Sequence, residues 1–290
     1  MRGWWQDLTD LVLPAECGGC GTPRTVLCPE CRAALSGAVP RRVRPVPEPR
    51  GLPAVYAAAT YADEVRAALL AHKERGALAL AGALGAALAG AVCAGLQYDE
   101  TGGTGDVPGV TPLLLVPVPS APWAVRARGH DPVRRIARAA AAGLRRTGAP
   151  ARVVPVLRQR RAVADQSGLN SRQRLANIDG ALEVVAGGAR LLAGGRVVLV
   201  DDLVTTGATL AEAARAVREE TAPEGAVEET TAVYRRAAWE GREERTAGPR
   251  EERARWTRDA PGIAEGNAPA WPILAAVIAA APDSFEMNRN

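Results

Sequence analysis

The stretch 197-VVLVDDLVTTGATL-210 decides how this chain is read. Its opening apolar run has the composition of a strand buried on both faces. Two adjacent acids, Asp201 and Asp202, follow at the strand's end. Then come the loop Thr205-Thr206-Gly207-Ala208-Thr209 and the helix-forming run 209-TLAEAARAVREET-221. A loop that turns straight into a helix offers an anion free backbone N–H groups and the positive end of the helix macrodipole. Three threonine hydroxyls add donors, and Gly207 lets the backbone come close. Acids facing the same anion would repel it. They fit if they accept hydrogen bonds from sugar hydroxyls on the far side of one ligand. The expected ligand is therefore a ribose 5-phosphate. No Gly-Lys-Ser/Thr follows, which excludes a Walker A loop, and a lone glycine excludes the dinucleotide-binding fingerprint. An acidic turn with a threonine cap is the bland alternative, but capping alone does not call for so many phosphate-binding elements.

Outward from this stretch, strand-like and helix-like segments alternate. Upstream, 54-AVYAAATY-61 reads as a strand, followed by a helix through Val65, Leu69 and Leu70. The segment 76-GALALAGALGAALAGAVCAGL-96 carries no charge over 21 residues, long enough to span a bilayer. Alanine and glycine dominate it, and Leu80, Leu84 and Leu88 recur at helical spacing, so the expectation is a helix packed on a sheet and no membrane span. A short buried strand, 111-TPLLLVPVP-119, and an amphipathic helix, 132-PVRRIARAAAAGLRRTG-148, come next. Apolar strands separated by helices predict an α/β fold with a parallel sheet covered on both faces. Ligands of such sheets bind beyond the carboxyl ends of the strands, where Asp201 and Asp202 stand.

Composition is compatible with this: 47% of residues are hydrophobic and 23% charged, with a formal net charge of +4. One lysine, Lys73, stands against 35 arginines. A mildly basic chain suits anionic small molecules or nucleic acid, and equally a merely soluble surface. The opening 1-MRGWWQDLTDLVLP-14 has acids where a signal peptide needs an apolar core, so the expected location is cytoplasmic.

Four of the five cysteines lie in 17-CGGCGTPRTVLCPEC-31, two C-x2-C pairs. Cys17, Cys20, Cys28 and Cys31 can supply four thiolates in tetrahedral geometry, the closed set of a structural zinc site. Disulfides or a redox pair are the rivals, but neither accounts for two matched pairs in a chain without an export signal. Gly18, Gly19 and Gly21 are expected to supply the positive φ of such knuckles. So short a segment builds no core of its own, and metal binding of ~10–16 kcal/mol would have to hold it. Cys93, in the Ala-rich helix, reads as a small buried hydrophobe. The expected organisation is a zinc module over 1–35, a Pro/Arg-rich linker over 36–53 and a large domain over 54–290.

The residues 197–209 resemble the phosphoribosyl pyrophosphate (PRPP) signature of type I phosphoribosyltransferases. Together with the four cysteines, the chain resembles the ComF family of competence-associated, amidophosphoribosyltransferase-like proteins. The stretch 69-LLAHKERG-76 matches the family's lysine-containing helix end and puts Lys73 in a motif position. The stretch 115-LVPVPSAPWAVRARGHDP-132 resembles its pyrophosphate-side region. The stretch 165-DQSGLNSRQRLANIDGAL-182 resembles its flexible loop, matched at Gln166, Leu169, Arg174 and Asn177, with Arg172 nearby.

The resemblance implies displacement at the anomeric carbon of PRPP with magnesium, pyrophosphate leaving and a nitrogenous acceptor entering. Asp201 and Asp202 would hold the ribose diol, one of them as a proton acceptor. Residues 205–209 would hold the 5-phosphate, Lys73, Arg126 and Arg128 the pyrophosphate, and the loop would close over the site. Two other classes stay open: a protein that binds PRPP or a nucleotide without turnover, and a competence factor acting with single-stranded DNA. An oligomer is compatible with all three.

After Arg128-Gly129 the family has an aromatic residue and then Asn-Gln, whereas this chain has His130, Asp131 and Pro132. The strand after helix 209–221 has two candidates, 226-AVEETTAVY-234 and 273-ILAAVIAAA-281. The second is preferred because the ending 281-APDSFEMNRN-290 resembles the family. That choice makes 222–271 an insertion.

Overall fold

The structure is a computed structural model that describes residues 16–100, 111–161, 173, 177–222 and 272–285. At its centre is a six-stranded sheet in the order β1-β2-β8-β7-β3-β4. Five strands are parallel: β2 (Ala54–Thr60), β3 (Leu113–Pro117), β4 (Ala151–Val153), β7 (Arg196–Val204) and β8 (Leu274–Ala280). The edge strand β1 (Arg41–Val43) runs antiparallel to β2. A second, two-stranded sheet pairs β5 (Leu157–Gln159) with β6 (Leu182–Val184).

Period-two alternation decides which residues serve which layer. In β7, Val198 and Val200 enter one apolar cluster while Val197 and Leu199 enter the other, so the strand is buried on both faces as its composition predicts. The first face is covered by α1 (Pro29–Ser36), α2 (Asp63–Glu74), α3 (Ala81–Glu100) and α5 (Pro132–Arg146). The second is covered by α7 (Ala208–Thr221), by β5 and β6, and by the short α6 (Gly188–Leu192). A further short helix, α4 (Pro122–Arg128), follows β3.

Helix α3 and the 3-10 turn before it are long and apolar enough to cross a membrane, with mean hydropathy 1.9 over Leu78–Gln97. In the fold this helix packs on β2, β8 and α5. Leu80, Leu84 and Leu88 are all within 1% of full burial, the sheet-facing stripe read from their spacing. Small residues set how closely it docks. A Cβ on Gly85 would stand 2.5 Å from Cβ of Ala139, so the contact between α3 and α5 requires glycine there.

Two expectations change. Residues 36–53 were read as a linker, yet Arg41–Val43 pairs with β2 and Val43 bridges Phe285 at the other end of the domain. Alternation over three residues is too short a pattern to show in a Pro/Arg-rich sequence. Of the cysteine-module glycines, Gly21 alone has a positive φ, +81°. Gly18 and Gly19 are needed for space, since a Cβ would meet Leu80 Cδ1 at 2.6 Å and Cys31 Sγ at 2.6 Å respectively.

The strand beside β7 is β8, from the second of the two candidate segments. The other, 226–234, lies outside the described residues, as does most of 222–271.

Candidate active site at the carboxyl end of the sheet

Three elements converge at the carboxyl ends of β7 and β3. The first is β7 itself. Asp202 is 7% exposed, and its backbone N–H donates to Oδ1 of Asp201 at 2.8 Å. Burial of the Asp201 carboxyl, followed by the negative charge of Asp202, pushes the Asp201 pKa well above the usual aspartate value. Two carboxyl groups side by side, one of them with its proton affinity raised, give an acid edge that can both donate and accept hydrogen bonds.

The second element is the end of α2. Lys73 Nζ lies 2.8 Å from Oδ2 of Asp202. Burial disfavours the ammonium, but the charge and hydrogen bond of Asp202, helped by Asp201, outweigh it and raise the Lys73 pKa. The helix places the Lys73 ammonium in its last turn, where its macrodipole favours a cation. Glu74, the last residue of α2, breaks that pattern and takes a bidentate pair with Arg128, Nε to Oε2 at 3.0 Å and Nη2 to Oε1 at 2.7 Å. Arg128 ends α4, the third element, and its charge acts directly on Lys73. Asp202, Lys73, Arg128 and Glu74 thus form one group of alternating charge. Arg126 is exposed on the same short helix, and among the described residues no hydrogen bond or ion pair joins it to that group.

Beside the acids, the loop Thr205–Gly207 turns into α7. Gly207 is the N-cap, with φ +73° and no side-chain cap, so the first N–H groups of a 14-residue helix face outward from a left-handed residue. Thr205 is exposed and Thr206 and Thr209 are half-buried, while Gly207 and Ala208 are buried. Leu52 and Pro45 floor this loop: a Cβ on Gly207 would stand 3.1 Å from both Leu52 methyls and 3.2 Å from Pro45 Cγ. The segment read as linker therefore supports the candidate phosphate loop. Asn177 is half-buried, and Ile178 and Ala181 next to it pack against Ala208 at the start of α7. Gln166, Arg172 and Arg174 lie outside the described residues.

Residues 134–245 match the family model described as the phosphoribosyl transferase domain. That stretch is similar to a phosphoribosyl transferase domain. The domain match runs from α5 through β7, the Thr/Gly loop and α7, and it supports the type I phosphoribosyltransferase family. Lys73, on α2 of the first covering layer, and Arg126 and Arg128, on the short α4 after β3, precede the matched residues. No curated protein matches the chain.

The four N-terminal cysteines form a separate cluster whose Sγ atoms all lie within 4.8 Å of one another. The backbone N–H of Cys28 donates to Cys17 Sγ at 3.3 Å and that of Cys31 to Cys28 Sγ at 3.4 Å. Burial opposes ionising Cys17, but N–H groups of Cys28, Cys20 and Gly19 outweigh it and lower its pKa to about 6. A donor set of four thiol sulfurs with N–H partners suits a soft or borderline metal ion. Cys17, Cys28 and Cys31 also belong to the same apolar cluster as Leu35, Leu80 and Leu84, so the module is packed into the first covering layer.

Sequence reasoning missed Glu74, the partner of Arg128, although it adjoins Lys73 in the motif helix. It also missed Leu52 and Pro45 beneath Gly207, which no local pattern marks.

Proposed function

We propose that this chain is a ComF-type phosphoribosyltransferase that binds PRPP and transfers its phosphoribosyl group to a nitrogenous acceptor, releasing pyrophosphate. The observation that carries the reading is the Lys73–Asp202 pair, which joins a cation from α2 to the acid edge beside the Thr/Gly loop. In this reading the loop 205–209 holds the 5-phosphate through its N–H groups and hydroxyls. Asp201 and Asp202 hold the ribose diol, and Lys73 and Arg128 face the pyrophosphate, with Arg126 at its outer side.

The bond between the anomeric carbon and the pyrophosphate oxygen breaks, its electron pair leaving with pyrophosphate. The acceptor nitrogen supplies the new pair and loses a proton. Magnesium bound with PRPP would supply charge neutralisation between pyrophosphate and ribose oxygens, and the hard carboxylate oxygens of Asp201 and Asp202 fit its neighbourhood. Lys73 and Arg128 stabilise the charge that develops on the leaving group. Asp201, whose carboxyl favours the protonated form in the free protein, is the better candidate to exchange a proton with the ligand. The segment 165–177 would close over the site and exclude water.

The four cysteines would hold a structural zinc ion, which leaves no open position for catalysis. A second reading, PRPP binding without turnover, is supported by His130, Asp131 and Pro132 standing where the family has an aromatic residue and Asn-Gln.

Calorimetric titration of PRPP with magnesium into wild type and Asp201→Asn/Asp202→Asn tests the reading. Saturable binding lost in the double variant is expected. Absence of binding by folded wild type sinks it. Pyrophosphate release on adding candidate amines and bases separates the transferase from the non-catalytic binder.

A further inference from the structure

The chain has two histidines, and both stand where the cationic elements of the site meet. His130 lies in the turn between α4 and α5. Its Nδ1 is 3.1 Å from the carbonyl oxygen of Arg128, and its Nε2 is 3.3 Å from that of His72. One ring thus spans the end of α4, which carries Arg128, and the last turn of α2, which carries Lys73. Carbonyl oxygens only accept hydrogen bonds, and a neutral imidazole has a single N–H. A neutral His130 satisfies one of these contacts, whereas the imidazolium satisfies both.

His72 behaves differently. It is 1% exposed, its Nδ1 lies 3.3 Å from the Ala77 carbonyl, and its Nε2 is buried without a hydrogen-bond partner. The carbonyl requires the proton on Nδ1, and burial lowers the pKa of the ring. Burial thus disfavours a charge on His72, which stands edge-on to His130 with ring centroids 5.8 Å apart.

The charges around His130 come from three helices. Helix α2 contributes Lys73 and Glu74, and α4 contributes Arg128. Helix α5 contributes Arg135, whose charge acts on His72, and its cap Asp131, whose carboxylate accepts the N–H of Arg134. In the free protein Asp202 neutralises Lys73 and Glu74 neutralises Arg128. A polyanion arriving at Lys73 and Arg128 changes that balance and favours a positive charge on the ring that bridges the backbone of their two helices.

We propose that His130 is a positioning residue that clamps the end of α2 to the end of α4, and that it takes up a proton when the pyrophosphate group binds beside Lys73 and Arg128. This rests on the phosphoribosyl-transfer reading. Uptake tightens the clamp from one hydrogen bond to two, which fixes the spacing of the two cations while the leaving group is held.

The test uses full-length protein labelled with 15N-histidine, where two histidines give two assignable sets of ring resonances. His130→Gln assigns them. Inorganic pyrophosphate with magnesium is the probe, and calorimetry under the same conditions measures its binding. The expected result is that both His130 nitrogens shift to the protonated position on saturation. His72 keeps one unprotonated nitrogen throughout. In His130→Gln, pyrophosphate affinity varies less with pH between about 6 and 8 than in wild type, the remainder coming from the ligand's own ionisation. Saturable pyrophosphate binding with unmoved His130 resonances overturns the inference and leaves the transfer reading standing. No pyrophosphate binding by folded protein overturns both. The wild-type spectra decide the matter even if the variant fails to fold.

Discussion

Lys73 and Asp202, 129 residues apart in the chain, meet at 2.8 Å between Nζ and Oδ2. Asp202 is mostly buried, and Lys73 keeps about a third of its side chain in solvent, with 35% exposed. Replacing Lys73 by Met leaves Asp202 without its cation and, in the proposed reading, removes a charge from the leaving-group side. Solvent screening at the lysine end limits the stability loss to about 1 kcal/mol. The effect on PRPP affinity is expected to be larger, ~10- to 100-fold, because a charge-assisted contact is lost where the ligand is most charged. Thermal melting and calorimetry in parallel read the two effects, and unchanged affinity would remove Lys73 from the site.

Asp201 gives a prediction in which stability and function part. Its carboxyl binds more protons folded than unfolded, so stability falls as pH climbs from the ordinary aspartate value of 3.8 through its raised folded pKa. Asp201→Asn removes that cost, and the variant is expected to melt higher than wild type at pH 7 while losing PRPP binding. Lys73 contributes no such slope there. Its raised pKa means its stabilisation is fully present below its ordinary 10.5 and is lost only above that value. Melting curves from pH 4 to 9 should therefore show the wild type and Asp201→Asn converging at the acid end. Parallel curves would show that the carboxyl is not held protonated.

Glu74 holds Arg128 through two hydrogen bonds at the surface, with Glu74 46% exposed. In the proposed reading, pyrophosphate competes with it for the guanidinium. Glu74→Gln is expected to cost under ~1 kcal/mol of stability, as exposed pairs do, and to tighten binding of inorganic pyrophosphate by up to ~10-fold. Weaker binding would mean that Glu74 orients Arg128 for the ligand instead of withholding it.

The four cysteines predict one zinc ion per chain by elemental analysis. Because Cys17, Cys28 and Cys31 share a cluster with Leu35, Leu80 and Leu84, metal loss should loosen the α1–α2–α3 layer as well as the short module. Cys20 is the exposed member, and Cys20→Ser is expected to lower stability by at least ~3 kcal/mol with little change in packing volume. A chelator should lower the melting temperature of wild type but not that of the variant. A metal-free wild type with an unchanged melting temperature would reduce the cysteines to core residues.

What the sequence made legible has a physical pattern. The buried strand, the acids towards its carboxyl end and the glycine turn were readable because each depends on residues within a few positions of one another, although the strand runs through both acids to Val204 and does not end before them. The leucine stripe at 80, 84 and 88 likewise showed the buried face of α3, although hydropathy alone fits a membrane helix equally well. Pairings across long sequence separations were not readable: β1 against β2, Leu52 beneath Gly207, and Glu74 with Arg128. Each is fixed by the sheet topology, and no local propensity records it. Of the module glycines, Gly21 has the expected positive φ, whereas Gly18 was misjudged for a related reason, since it is required by Leu80, 62 residues away, and not by its own φ.

Gly207 carries two demands that a single substitution confounds and a control separates. Its φ of +73° strains any side chain, and a Cβ there would also press on Leu52 and Pro45 at 3.1–3.2 Å. Gly129 has the same φ of +73° with nothing within 4 Å of its Cβ position. Gly129→Ala therefore measures the left-handed strain alone, about 1–2 kcal/mol. Gly207→Ala is expected to cost more by the contact with Leu52, roughly 1 kcal/mol. Adding Leu52→Ala to Gly207→Ala should recover that contact cost but not the strain, a coupling that a double-mutant cycle reads directly. If Gly207→Ala costs no more than Gly129→Ala, Leu52 yields freely and the floor of the loop is soft. If the coupling appears, the floor is rigid, and PRPP affinity should fall in Gly207→Ala by more than its stability loss alone accounts for.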